Sequence, residues 1–201
     1  HADAINAYSE TYMGLVEIGV GLLPAGGGTK EMSMRAIQLA QQFNTDVQPF
    51  IIKNFQQIAM AKVSMGAAEL YGMDYMRNGD SISMDIDRLI GDAKQKVLAL
   101  AVNYRPKRPV ENIPAPGRGI AAAIKSQLWN MKMGNFITEY EMEMGALIAQ
   151  IMCGGDINAG TLISEEYLLQ LEREGFLKLC GNKKTAERIQ HMLKTGKPLR
   201  N

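Results

Sequence analysis

A mostly α-helical fold, with at most one or two short strands at the N-terminal edge, is predicted by three features of the sequence. From Lys30 onward apolar residues recur at helical spacing, as Met32, Ala36, Leu39 and Phe43 do. Capping residues stand before most of the apolar runs. One proline-rich stretch, 105–119, interrupts the helical pattern with Pro106, Pro109, Pro114, Pro116 and two glycines, which marks an extended connector and the best internal boundary.

Before Lys30 the texture differs. Leu15-Val16-Glu17-Ile18-Gly19-Val20 is short and β-branched and reads as a buried strand, running into the Gly-rich loop 21–29. Asp46 and Pro49 then mark the start of a helix carrying Phe50, Ile51, Phe55, Ile58 and Ala59. Ser64 caps a short helix ending at Gly72, and Asp85 a longer one whose apolar face is Ile86, Leu89, Ile90, Ala93, Val97, Leu100 and Ala101. Beyond the connector, 120–133 reads as helix. Thr138 and Glu141 have capping-box spacing before a run that ends at Gly154-Gly155. Ser164 opens the next helix, to Gly181, and Thr185 opens the last, closed by Gly196 and Pro198. Six to eight helices result. The division expected is 1–29, 30–104, 105–119 and 120–201.

Composition excludes several classes of function. Apolar residues are 46% of the 201 positions and charged residues 21%, which argues against disorder, and a formal net charge of +1 removes the electrostatic case for nucleic acid. No run reaches the roughly 20 apolar residues of a spanning helix. Two cysteines, Cys153 and Cys180, imply no disulfide framework and are expected as buried thiols in a reducing, cytoplasmic setting. The start at His1, with neither an initiator Met nor a signal peptide, reads as a piece cut from a longer protein.

Among motifs, Gly19-Val20-Gly21-Leu22-Leu23-Pro24 lacks the third glycine of a dinucleotide fingerprint, and Gly26-Gly27-Gly28-Thr29-Lys30 places Lys after Thr, the reverse of a P-loop. The remaining readings are a tight turn needing positive φ, or amides facing an anion or carbonyl oxygen. Glu17, set among apolar neighbours, is either a solvated strand residue or a carboxylate suited to proton transfer. His191 reads as an inert surface histidine, and the Met-rich run 139–152 as core. Glu165, Glu166, Glu172 and Glu174 read as a solvated helix face, and no metal-ligand spacing occurs.

Met13-Gly14-Leu15-Val16-Glu17, followed by Gly21-Leu22-Leu23-Pro24-Ala25-Gly26-Gly27-Gly28-Thr29, resembles the second catalytic segment of the crotonase (enoyl-CoA hydratase/isomerase) superfamily, Phe-Gly-x-Pro-Glu and then Gly-x-x-Pro-Gly-x-Gly-Gly-Thr. Gly14, Glu17, Gly21, Pro24, Gly27, Gly28 and Thr29 match, while Met13, Val16 and Ala25 depart from the pattern. The stretches 168–176 and 184–201, with 58–64 and 153–156, look like bacterial fusions of a 3-hydroxyacyl-CoA dehydrogenase with an enoyl-CoA hydratase of fatty-acid β-oxidation. The resemblance implies that residues 1–29 finish a truncated crotonase core, an α/β fold of which this chain is the helical C-terminal part. It implies Glu17 as one of two catalytic glutamates, and Gly14, Pro24, Gly27, Gly28, Lys194 and Lys197 as acyl-CoA contacts. The second glutamate and the oxyanion amides would lie upstream of His1, so the chain alone is expected to be inactive and to bind no cofactor. NAD would belong to a separate dehydrogenase domain of the parent. The missing crotonase half, that domain and a possible second copy are the expected partners. The alternatives are an enoyl-CoA isomerase and a non-catalytic helical assembly module.

Overall fold

In the computed structural model, which describes residues 2–201, the chain forms two compact units that alternate along the sequence. The first takes residues up to Gly14 and Val63–Arg108, and the second takes Leu15–Lys62 and Pro109–Asn201. Eight α-helices and four short strands are assigned among the described residues, and none of the helices is long and apolar enough to cross a membrane. The helical class matches expectation. Strands occur beyond the N-terminal edge as well.

The first unit is organised on a parallel ladder of β1 (Asn6–Tyr8) and β2 (Ser81–Ser83), with Ala7 opposite Ile82. Side chains complete what so short a ladder cannot. Asp80 Oδ1 accepts from Ile5 N at 2.7 Å, Asn6 Nδ2 donates to Ser83 Oγ at 3.0 Å, and Ser83 Oγ donates to Asp92 at 2.7 Å. Ala67, Leu70, Met73 and Met76 are buried around α3 (Glu69–Gly72). Ser64 does not cap that helix. Its hydroxyl donates to Thr11 O and accepts from Met13 N, each at 3.0 Å, pinning the chain beside the Gly14–Val63 bridge.

Asp85 caps as expected, accepting from Asp87 N, but through a 3-10 turn (Ile86–Arg88) that leads into α4 (Leu89–Ala101). The apolar face expected of this helix exists, yet none of its residues is buried, and Ile90 is 82% exposed. Leu89 and Ala93 are half-buried beside β1, while Ile86, Val97 and Leu100 are exposed like Ile90.

In the second unit α1 (Gly28–Gln42) packs against α2 (Gln48–Ala59) and α6 (Glu139–Met152), and α6 against α5 (Arg118–Met133) and α7 (Glu165–Cys180). The proline-rich stretch passes from the first unit into the second, includes β3 (Ile113–Pro114), antiparallel to β4 (Leu162–Ile163), and runs on into the start of α5. Met34, Ile37, Ile113 and Leu168 form a core cluster with Val47 and Ile163 packed on it. Helix α1 is buried on most sides, so the expected stripe holds at Met32 and Ala36 while Phe43 is exposed. Met144 and Met152 are core residues, as expected.

Local signals set the helix ends. Asp46 Oδ1 accepts from Gln48 N, with Pro49 in the first turn of α2. Thr138 and Glu141 close a complete capping box on α6, and Ser164 caps α7. Asn182, not Thr185, caps α8 (Lys183–Thr195), its side chain accepting from Lys184 N at 2.9 Å, while Thr185 lies inside the helix, fully buried. The contrast between the helices can be tested. Ile148→Ala, at a fully buried position of α6, is expected to cost about 2–5 kcal/mol of unfolding free energy, whereas Ile90→Ser on α4 stays within about 0.5 kcal/mol. Urea unfolding of both variants checks this.

Candidate functional site

The run Leu15–Val20 is not a strand. Val16 is 46% exposed and Ile18 is buried, so the run is not the buried strand that its β-branched residues suggested. Bounded by Gly14 and Gly21, the run forms a 3-10 turn, Glu17–Val20, and satisfies its backbone locally. Gly19 N donates to Val16 O, Gly21 N to Ile18 O, and Leu22 N to Glu17 O, all at 3.0–3.1 Å. Gly21 ends the turn at φ 84°, a left-handed conformation that suits glycine. Glu17 opens the turn half-buried. Its Oε2 is buried and has no hydrogen-bond partner among the described residues, an uncommon state for a carboxylate oxygen.

The Gly-rich loop that follows is both a positive-φ turn and an anion site. Gly27 caps α1 at φ 89°, and Thr29 returns both its amide and its hydroxyl to Pro24 O, at 3.2 and 2.8 Å. The anion is the chain's own. Gly27 N donates to Glu172 Oε1 at 2.7 Å and Lys30 N to Glu172 Oε2 at 2.8 Å. Glu172 therefore lies at the positive end of the α1 dipole. It is 1% exposed, which corrects its reading as a solvated residue. Burial pushes its carboxyl above the usual range, against the downward pull of the Lys30 and Gly27 amides.

Lys30 is buried too. Its Nζ lies 2.6 Å from Glu165 and 3.1 Å from Glu31, and Glu31 also meets Arg35 at 3.1 Å. Burial would lower the lysine's pKa, but these two carboxylates hold it above the ordinary value. Burial would likewise raise Glu31 and Glu165, yet Lys30, with Arg35 at Glu31 and the Val110 amide at Glu165, holds both below theirs. This lysine is committed to the interior.

Of the residues the resemblance singled out, Glu17, Pro24, Gly27 and Gly28 fall on one continuous stretch of the second unit. At Gly28 a Cβ would come within 2.8 Å of Pro24, so the glycine permits the loop to close. Gly14 belongs to the first unit, bridged to Val63. Lys194, in the last turn of α8, and Lys197, beyond it, are exposed. His191 is half-exposed in the same helix. Cys153 is buried, its thiol pushed up to about 12 by burial, whereas Cys180 is exposed, against the expectation of two buried thiols. No group of three His, Cys, Asp or Glu side chains among the described residues could hold a metal ion. A cavity of about 640 Å³ opens between Ile37, Ala40, Val47, Pro114 and Ile120, and none of the residues singled out lines it.

Pattern reading missed Glu172 and Thr185. A signal existed: Leu168, Glu172, Gly175 and Leu179, the buried residues of α7, share one stripe at helical spacing. The only buried residues of α8, Thr185 and Arg188, stand three apart.

The second unit is thus a helical assembly holding a half-buried carboxylate, with an idle oxygen, directly ahead of an internally braced, Gly-rich helix start. No family model and no solved structure matches the chain. Over an alignment of 202 residues that covers 100% of the chain, it is 43% identical to a Bacillus subtilis protein named as a probable 3-hydroxyacyl-CoA dehydrogenase, of which it covers 25%. It is 24% identical over 194 residues to a Rickettsia felis protein named as a fatty acid oxidation complex trifunctional enzyme, covering 96% of the chain and 23% of that protein. A Rickettsia prowazekii protein of the same name is 25% identical over 186 residues, or 92% of the chain and 22% of its own length. The chain spans about a quarter of the length of these curated relatives.

The buried charges carry pH signs. Glu31 and Glu165 titrate below their ordinary value of 4.5, so their contribution to stability is complete above that value and is lost as pH falls through the folded values. Glu172, raised, acts in the other direction: its contribution is present below 4.5 and lost as pH rises through its folded value. Glu165→Gln is therefore expected to flatten the fall in stability between about pH 7 and about pH 3. Urea midpoints measured across that range decide it, and an unaltered acid limb would rule the pair out as its cause. Glu172→Ala, which strips two buried amides of their acceptor, is expected to cost about 2–5 kcal/mol, read from the same unfolding curves at neutral pH.

Proposed function

We propose that this chain is the C-terminal half of a crotonase-type catalytic domain within a longer fatty-acid oxidation enzyme. In this reading Glu17 is one of two carboxylates that move protons while water adds to a trans-2-enoyl-CoA. The observation that carries the reading is Glu17 Oε2, buried and without a partner among the described residues. Such an oxygen is free to accept a proton from water or return one to carbon.

Hydration places OH on C3 and H on C2 of the acyl chain. One group removes a proton from water, another protonates the α-carbon, and amide donors stabilise the enolate-like thioester oxygen between the two steps. The Gly27 and Lys30 amides do not serve that last role, since Glu172 already occupies them. The reading therefore assigns the oxyanion donors and the second glutamate to sequence outside this chain, with 1–29 finishing the catalytic core. The names of the relatives support an acyl-CoA substrate. The 3-hydroxyacyl-CoA formed by hydration is what a 3-hydroxyacyl-CoA dehydrogenase oxidises, and that step with NAD belongs to another part of the polypeptide. Exposed Lys194 and Lys197 are the groups assigned to the phosphates of CoA.

A second reading, a helical module that packs against another domain or a second copy, is favoured by α4, whose apolar face is unburied. An isomerase would keep Glu17 and act on a 3-enoyl-CoA instead. In the full-length polypeptide, Glu17→Gln is expected to lower kcat for crotonyl-CoA hydration by about 10²–10⁴-fold, and the 201-residue chain alone to show no turnover. A Glu17→Gln enzyme with wild-type rate and product profile would leave the assembly reading standing, and turnover of 3-enoyl substrates alone would favour the isomerase.

A further inference from the structure

We infer that Thr185 and Tyr140 are positioning residues for Glu17, through a hydrogen-bond relay that runs from α6 by way of α8 to the turn bearing the carboxylate. The inference rests on the acid–base reading of Glu17. Tyr140 and Thr185 are each 1% exposed. Thr185 Oγ1 donates to Gly21 O at 2.8 Å, and the Tyr140 and Thr185 hydroxyls lie 2.6 Å apart.

Counting protons fixes the direction. A carbonyl oxygen only accepts, so the single hydroxyl proton of Thr185 goes to Gly21 O. Tyr140 must then donate to Thr185. The order is Tyr140 O–H to Thr185 O–H to Gly21 C=O, in which each bond polarises the next. The Tyr140 ring is held in turn, with Arg188 Cζ 5.3 Å and Lys184 Nζ 5.5 Å from its centroid.

Gly21 is where this relay meets the turn. Its N–H goes to Ile18 O and its C=O to Thr185, so both sides of the residue are tied. α8 comes so close that a Cβ at Gly21 would lie 2.9 Å from Thr185 Oγ1 and 3.0 Å from Thr185 Cα. A four-residue 3-10 turn has little stability of its own. The direction in which Glu17 projects is therefore set by helices that follow it by more than a hundred residues.

The test uses the full-length polypeptide and reads deuterium uptake over residues 17–22 beside kcat and KM for crotonyl-CoA. Thr185→Val keeps the shape and removes the hydroxyl. It is expected to raise uptake over 17–22 and lower kcat by about 10–100-fold with KM within about twofold, while Thr185→Ser restores both. Tyr140→Phe removes only the far donor, gives the same pattern at smaller amplitude, and serves if Thr185→Val does not fold. Wild-type uptake and kcat in Thr185→Val overturn the inference. So does raised uptake with unchanged kcat when Glu17→Gln is inactive, and in that case the catalytic reading of Glu17 survives. Full activity in Glu17→Gln removes that reading and the inference with it.

Discussion

The second unit is organised by one buried carboxylate. Glu172 receives two backbone amides from the first turn of α1 across 142 and 145 residues of sequence. Seven residues earlier on the same helix, Glu165 takes the Lys30 side chain. The first turn of α1 is thus tied to α7 twice, once through its backbone and once through a buried lysine. Charges this deep are favourable only while every partner is in place, so the arrangement admits one register of α1 against α7. The loop 24–29 has little freedom left once that register is set, because Gly27 is held by Glu172 and its two ends are joined through Thr29 and the Pro24 carbonyl.

Two glutamates near this loop have opposite environments, and the environments separate their roles. Both oxygens of Glu172 are occupied by amides, which makes it a structural anion. Glu17 keeps one oxygen buried and idle, in a turn whose backbone is otherwise satisfied. Charge type alone does not distinguish them, as both are Glu, one among apolar residues and one in a charged stretch. The difference lies in what each carboxylate faces, and for Glu172 that partner is more than a hundred positions away.

Distance along the chain also separates what was legible in the sequence from what was not. Thr138 with Glu141, Ser164 and Asp46 set helix starts through bonds spanning two or three residues, so their signals are written locally. Leu15–Val20 misled because a short run with three β-branched residues between glycines suits either a strand or a tight turn, and only a neighbouring strand could have decided for the former. Thr185 misled for a related reason. Three residues after Asn182, it has the chemistry of a cap, but its hydroxyl serves a carbonyl 164 positions earlier. Asp85 marked the 3-10 turn that leads into α4, while the burial of that helix's face depends on what lies against it.

The alternation of the two units along the chain sets an order on folding during synthesis. β1 pairs with β2 across 75 residues, and the larger part of the intervening chain, Leu15–Lys62, belongs to the other unit. Residues 15–62 cannot complete their own packing until α7 and α8 have been made. A ribosome adding about 5–20 residues per second therefore leaves the Glu17 turn and the Gly-rich loop without their anchors for about ten to thirty seconds. During that interval α1 has α2 to pack against but neither α6 nor α7, and closing such distant contacts is slow. The faces of α1 that α6 and α7 come to cover stay open until those helices have been made.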